Sequence, residues 1–217
     1  MKKIVLPLLL ITFMLALPTG VQGSSLFCGG IKDDIVSTIA QLKCTITTPS
    51  SYRTYSSGDM TCAWIMISGS SSDPSLVQVG YATEPFVSSV SPHYFWGRIT
   101  TSGAYTEVRA NSGPSTGSSD NYLISAVSGG WKAYIDGANY FYDISSISTP
   151  QGVQVAQETT CGKFYGTSSS RVAFSSTYYM SSGSSIWVKP SLTWVHNSPG
   201  SIDTTLYGSS NIFSTWQ

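Results

Sequence analysis

Apolar residues in this chain fall into short runs that alternate every second position, and Gly, Ser, Asn, Asp and Pro fill the gaps between them. The stretch Met60–Tyr81 sets the pattern. Its two runs, Ala63–Ser68 and Leu76–Tyr81, flank a Ser/Gly/Asp/Pro segment, which reads as strand, loop, strand. Alternation puts Ala63, Ile65 and Ile67 on one face of the first run and Trp64, Met66 and Ser68 on the other. In the second run Leu76, Gln78 and Gly80 oppose Val77, Val79 and Tyr81. The compact apolar set predicts the core side, with Trp64, Met66 and Ser68 beside Gln78 on a concave outer side.

Further strand-like runs follow at 93–100, 104–110, 121–127, 131–136, 139–144, 152–159, 171–176, 185–189 and 191–196. They are rich in Val, Ile, Tyr, Trp and Phe, and turn residues separate them. Asp136-Gly137 between two of them predicts a hairpin. Such spacing predicts an all-β fold, a jelly-roll (concanavalin-like) β-sandwich. One segment departs from it. In IKDDIVSTIAQLK, Ile31, Ile35, Ile39 and Leu42 recur at helical spacing, with two aspartates near the start, so one short N-terminal helix is expected there.

Lys2 and Lys3 precede an apolar run from Ile4 to Leu17, followed by Pro18 and Val21-Gln22-Gly23. That order predicts a secretory signal peptide over 1–23, then helix and connector over 24–58, and the sandwich over 59–217. The expected location is therefore extracellular. Without the two leader lysines, the 11 basic residues fall below the 11 acidic ones, leaving no basic footprint for nucleic acid or an anionic membrane. Charged residues make up 10% of the chain, against about a quarter in ordinary domains; Ser, Thr, Gly and Tyr take their place.

Cys28, Cys44, Cys62 and Cys161 are an even set in an expected secreted protein, which predicts two disulfides. Cys28–Cys44 is favoured because the pair brackets the helical segment, and Cys62–Cys161 because it ties two strands; the other connectivities stay open. No CxxC pair or Cys/His cluster points to a metal, and no cofactor is expected.

Candidate chemistry is sparse. His93 and His196 are the two histidines, and neither sits in a local hydrolase signature. The three glutamates are Glu84, Glu107 and Glu158. Glu84 precedes a proline in a loop, and Glu107 alternates with Arg109 as an ion pair would. Glu158 ends the run GVQVAQE, three residues from Cys161. Gln78, an amide in mid-strand among Leu and Val, calls for a polar neighbour.

The order Cys62-Ala63-Trp64, Ser68-Gly69, Val77-Gln78-Val79-Gly80, the aromatic strand HYFWGR at 93–98 and the strand end Gln157-Glu158 resembles the eqolisins, the secreted jelly-roll glutamic peptidases. The resemblance covers about residues 60–176. It implies a catalytic pair, Gln78 and Glu158, with Trp64, Ser68, Tyr94 and Trp96 lining the substrate groove. Two positions depart from the pattern. Ser68-Gly69 stands where the family has Asp-Gly, and Gly97 interrupts an aromatic strand that carries a glutamate in the family.

Two chemistries are open on such a groove. A glutamate near its ordinary pKa of about 4.3 can take a proton from water in acid, and a neutral amide N–H can stabilise an oxyanion; together they would hydrolyse a polypeptide. Alternatively, the aromatic residues Trp64, Tyr94, Trp96, Trp131 and Tyr134 could seat a sugar or a peptide without reaction, as in a lectin-like module. Either way the expected partner is a polypeptide or carbohydrate ligand, and a monomer is expected.

Overall fold

A computed structural model describes residues 26–52, 60–70, 72–83, 91–143, 147 and 149–217. The expected leader and Glu84 lie outside the described residues. Strands β1 (Leu26–Lys32), β2 (Ile39–Thr47), β3 (Thr61–Ser68), β4 (Leu76–Thr83), β5 (His93–Ile99), β6 (Tyr105–Arg109) and β7 (Ser119–Val127) come first. They are followed by β8 (Gly130–Ile135), β9 (Ala138–Asp143), β10 (Gly152–Thr159), β11 (Val172–Ser181), β12 (Thr193–His196) and β13 (Ser201–Asp203). One turn of helix, α1 (Tyr207–Ser210), precedes β14 (Ile212–Trp216).

These strands pair antiparallel into two seven-stranded sheets. The front sheet runs β12-β1-β10-β3-β4-β5-β6 and the back sheet β13-β14-β11-β2-β7-β8-β9. The fold is a jelly-roll sandwich, and most strand runs read from the sequence are present. Residues 185–189 form no strand; Val188 makes a single bridge to Tyr179. The Asp136-Gly137 hairpin joins β8 and β9, with φ of 50° and 79° at the two turn residues, the double left-handed conformation of a type I′ turn.

The expected N-terminal helix is absent. Its ends belong to β1 and β2, one in each sheet, so among the described residues the sandwich already includes Leu26–Thr47, ahead of residue 59. The helical spacing has a strand origin. Opposite β11, the register passes from Gln41↔Met180 to Ile39↔Ser181, so Ala40 is an extra residue on β2. That bulge turns both Ile39 and Leu42 inward three positions apart, before Leu42, Cys44 and Ile46 resume strict alternation. Upstream, Asp34 takes a left-handed φ of 60° where the chain crosses between the sheets.

Between the sheets lies one continuous core. From the front sheet Ala63, Ile65, Ile67, Val77 and Val79 point inward, and from the back sheet Leu42, Ile46, Ile124 and Phe174. The register expected for Met60–Tyr81 is the one observed.

All four cysteines are free thiols, which corrects the expectation of two disulfides. Cys28 Sγ donates to Ser201 O at 3.2 Å, whereas Cys44 Sγ donates to Ser175 O at 3.3 Å and accepts from Thr177 Oγ1 at 3.2 Å. Cys28 therefore lies over β13, and Cys44 is on β2, three places further along the back sheet. That offset is about 14 Å at 4.7–4.9 Å per strand, beyond the Cα reach of a disulfide. Cys62 faces outward with Trp64. The Cys161 sulfur sits instead 3.3 Å from Thr159 Oγ1, which bonds Thr61 on the opposite side of the same strands. Burial pushes Cys28 and Cys44 up to about 12, so both stay protonated and unreactive near neutral pH.

Candidate functional site

The candidate site is the outer face of the front sheet. Register across β1, β10, β3, β4, β5 and β6 arranges its side chains in rows. One row reads Ile31, Gln154, Met66, Gln78, Gly97, Glu107. The next reads Gly29, Ala156, Trp64, Gly80, Phe95, Arg109, and the one beyond begins Phe27, Glu158, Cys62, Ala82, His93. On the opposite side of the Gln78 row lie Gly152, Ser68, Leu76, Ile99 and Tyr105.

Trp64 is the anchor of this face. It is 2% exposed and packs on Phe27 with ring centroids 5.9 Å apart. Its row neighbours explain how an indole fits there. Ala156 is small, and a Cβ on Gly80 would stand 2.8 Å from the Trp64 Cβ and 2.0 Å from the Ala63 carbonyl. The indole N–H meets no nitrogen or oxygen acceptor and faces the Cys62 sulfur. The Cys62 thiol is held well above its usual pKa, by burial first and then by the charges of Glu158 and Glu107.

Gln78 is 9% exposed and donates from Nε2 to Tyr105 Oη at 3.3 Å. Tyr105 in turn donates to Glu107 Oε2, and Arg109 Nε holds Glu107 Oε1. The ion pair read from the alternation of Glu107 and Arg109 is therefore real, but it ends a chain that begins at Gln78. Neither Glu107 nor Tyr105 is among the site residues expected from the sequence. Their signal was the alternation Tyr105, Glu107, Arg109, which places all three on one face of an edge strand.

A second polar cluster lies in the Ser68 row. Over Gly152, the place of an absent Cβ is 2.1 Å from Ser68 Oγ and 3.2 Å from Asp33 Oδ1. Burial first, and the neighbouring Asp34 second, raise the Asp33 pKa. Asp33 was read from sequence only as a helix-start charge.

Gln78 and Glu158 face the same way, but they do not occupy one row. The residue of β10 in line with Gln78 is Gln154, and Glu158 lies four positions further along, about 13 Å at 3.3 Å per residue. Glu158 is 7% exposed, and Cys62 Sγ donates to its backbone carbonyl. Tyr94 and Trp96 do not lie on this face. They pair with Tyr81 and Val79, and so turn into the inter-sheet core. Tyr94 Oη there donates to Asp120 Oδ2 of β7 at 2.9 Å, tying the two sheets together. The outward residues of β5 are His93, Phe95, Gly97 and Ile99. Among the described residues no three His, Cys, Asp or Glu side chains gather as a metal site.

With this geometry in hand, the comparison with solved structures is specific about architecture. Scytalido-glutamic peptidase, solved with a transition state analog inhibitor, aligns at a TM-score of 0.64 and 15% identity over 88% of this chain and 98% of that one. SCP-B, a member of the eqolisin family solved with the tripeptide Ala-Ile-His, aligns at 0.57 and 14% over the same shares. The fold is that of the glutamic peptidases. No protein-family model matches the sequence, and no curated protein matches it. Identities this low speak for the fold and leave the chemistry to the residues of the site.

Proposed function

We propose that the outer face of the front sheet binds an extended polypeptide, with Gln78 donating to its backbone; hydrolysis in acid, with Gln78 as oxyanion stabiliser and Glu158 as general base, is the narrower form of this reading. The observation that carries this reading is Gln78. A strand-centre amide, almost sealed, is held by Tyr105 on the same face as Glu158. Hydrolysis needs Glu158 to take a proton from water as the water oxygen bonds to the carbonyl carbon, Gln78 to donate an N–H to the resulting oxyanion, and the protonated Glu158 to return its proton to the departing nitrogen. The two side chains would first have to close the offset of four positions that separates them along β10.

A second reading is favoured by one observation. The residue in line with Gln78 across Met66 is another amide, Gln154, and not a carboxylate. Paired amides suit a groove that hydrogen-bonds a peptide backbone without cleaving it. Incubation of the folded protein with a denatured protein between pH 2 and pH 7 separates the two. Cleavage that is lost in Glu158→Gln at an unchanged melting temperature supports hydrolysis. Equal inertness of wild type and variant, with peptide still bound, leaves the binding groove.

A further inference from the structure

We infer that Tyr105 and Glu107 are positioning residues that fix the orientation of the Gln78 amide, and that Gly97 is the gap through which they reach it. The inference deepens the reading of Gln78 as the groove's donor, but its geometric half stands without that reading. A phenol has one proton. Tyr105 donates it to Glu107 Oε2, while Arg109 holds the other carboxylate oxygen. Burial first, and the adjacent Glu107 charge second, keep that phenol protonated. With its proton committed, Tyr105 Oη can only accept, so the group facing it must be a donor. Gln78 therefore turns Nε2 and not Oε1 toward β6, at 3.3 Å. The reverse orientation would set an amide oxygen against a phenol lone pair. One N–H is thereby anchored, and the second is left for the groove.

Gly97 completes the argument. It stands between Gln78 and Glu107 in the same row. A Cβ there would lie 2.8 Å from Gln78 Nε2 and 2.8 Å from Tyr105 Oη, inside the space where the two meet. Any other residue at 97 would have to push them apart. β6 is an edge strand, so a strand whose outer border is open to solvent supplies the charge that orients an amide nearly sealed inside the sheet.

The test reads the side-chain amide of Gln78 directly in nitrogen–proton correlation spectra, its signal assigned by its loss in Gln78→Glu. Tyr105→Phe should shift that signal. Glu107→Gln should shift it too, although Glu107 does not touch Gln78. In a Tyr105→Phe background, Glu107→Gln should add nothing further, because the effect is relayed through the hydroxyl. A merely structural role for Glu107 would not produce that non-additivity. The inference fails if Glu107→Gln leaves the Gln78 signal unmoved, or moves it equally with and without the Tyr105 hydroxyl. Glu107→Gln, on an edge strand, keeps the test available if Tyr105→Phe does not fold. Where the wild type cleaves in acid, Tyr105→Phe should lower kcat about tenfold at unchanged KM, as loss of a transition-state contact does. Where it does not cleave, the hydrolytic reading fails and the spectra still decide this one.

Discussion

The outer faces of the two sheets are built from the same kind of strand to opposite ends. On the back sheet, β2 alternates strictly after its bulge, with Leu42, Cys44 and Ile46 inward and Lys43, Thr45 and Thr47 outward. Its outer face is a ladder of small polar pairs. Gln41 Nε2 donates to Ser125 Oγ at 3.0 Å, Thr45 Oγ1 to Asn121 Oδ1 at 2.8 Å, and Thr47 and Ser119 hydroxyls share a bond of 2.7 Å. On the front sheet, β4 is buried along its whole length and β3 along all but Ser68. Its outer face carries Trp64, Met66 and Leu76, with Phe27 and Ile99 packed against them. The back face is made for water and the front face is a second apolar layer with a few polar groups set into it. Only such a face has reason to hold Gln78, Glu107 and Glu158 nearly out of solvent.

The comparison breaks most directly at Trp64. If the front face is a true apolar layer, Trp64→Ala should destabilise by about 3–5 kcal/mol, the cost of removing a large buried aromatic side chain. Chemical denaturation measures it. A loss below about 1 kcal/mol would mean that the indole lies on a surface and the layer is not there. Gly80→Ala is the next largest. The new Cβ would meet the Ala63 carbonyl oxygen and the Trp64 Cα, both backbone atoms, so the strands must separate locally at a cost of about 1–3 kcal/mol. A neutral result would show that the strand pair is loose enough to admit any residue, which a shaped groove is not.

Much of this was legible in the sequence, and the failures have physical causes. The register of β3 and β4 follows from alternation, because Ala63, Ile65 and Ile67 with Val77 and Val79 form the compact apolar set. β2 was mistaken for helix because a bulge imitates a three-residue step, and a bulge is set by the partner strand. Tyr94 and Trp96 were assigned to the groove because HYFWGR is aromatic on both faces; only the pairing of Gln78 with Gly97 shows which parity points outward. Glu107 is missed because its link to Gln78 runs through Tyr105 and needs β5 between β4 and β6. At Ser68 and in the strand HYFWGR, where the resemblance implies acidic residues, this chain has none; Asp33 lies near Ser68, and Glu107 is the register partner of Gly97. Cysteine pairing failed likewise, since strand order decides it. Titration of denatured, unreduced protein should count four thiols; a count of zero would restore the disulfides.

Between the two faces, the seam offers a test by pH. Asp120 is buried, accepts from Tyr94 and faces the carboxyl of Asp136. Burial first, and Asp136 after it, raise its pKa, against the opposing pull of the Tyr94 hydroxyl. The folded chain thus binds this proton more tightly than the unfolded chain does. Its contribution to stability is full below the ordinary carboxylate range, about 3.9, and is lost as pH rises through the raised folded value. Asp120→Asn keeps an acceptor for Tyr94 and removes the titration. Its denaturation midpoint should therefore fall less steeply than that of the wild type as pH rises from 3 to 7. Parallel slopes would remove Asp120 from the account.

The smallest effect belongs to the back face, and its smallness is the point. Thr47 and Ser119 lie opposite each other in register with their hydroxyls joined, and either one, cut to alanine, returns its partner to water. An exposed hydroxyl that loses a protein partner gains a solvent one, so almost nothing is left unsatisfied. Thr47→Ala and Ser119→Ala should each change stability by less than about 0.5 kcal/mol. Their coupling in a double-mutant cycle should stay at the low end of the 0.2–1 kcal/mol known for cross-strand pairs. Trp64→Ala, on the same scale, should exceed either by several-fold. A coupling above about 1 kcal/mol on the back face would mean that its polar ladder is structural in its own right, and the contrast between a face made for water and a second apolar layer would no longer separate the two sheets.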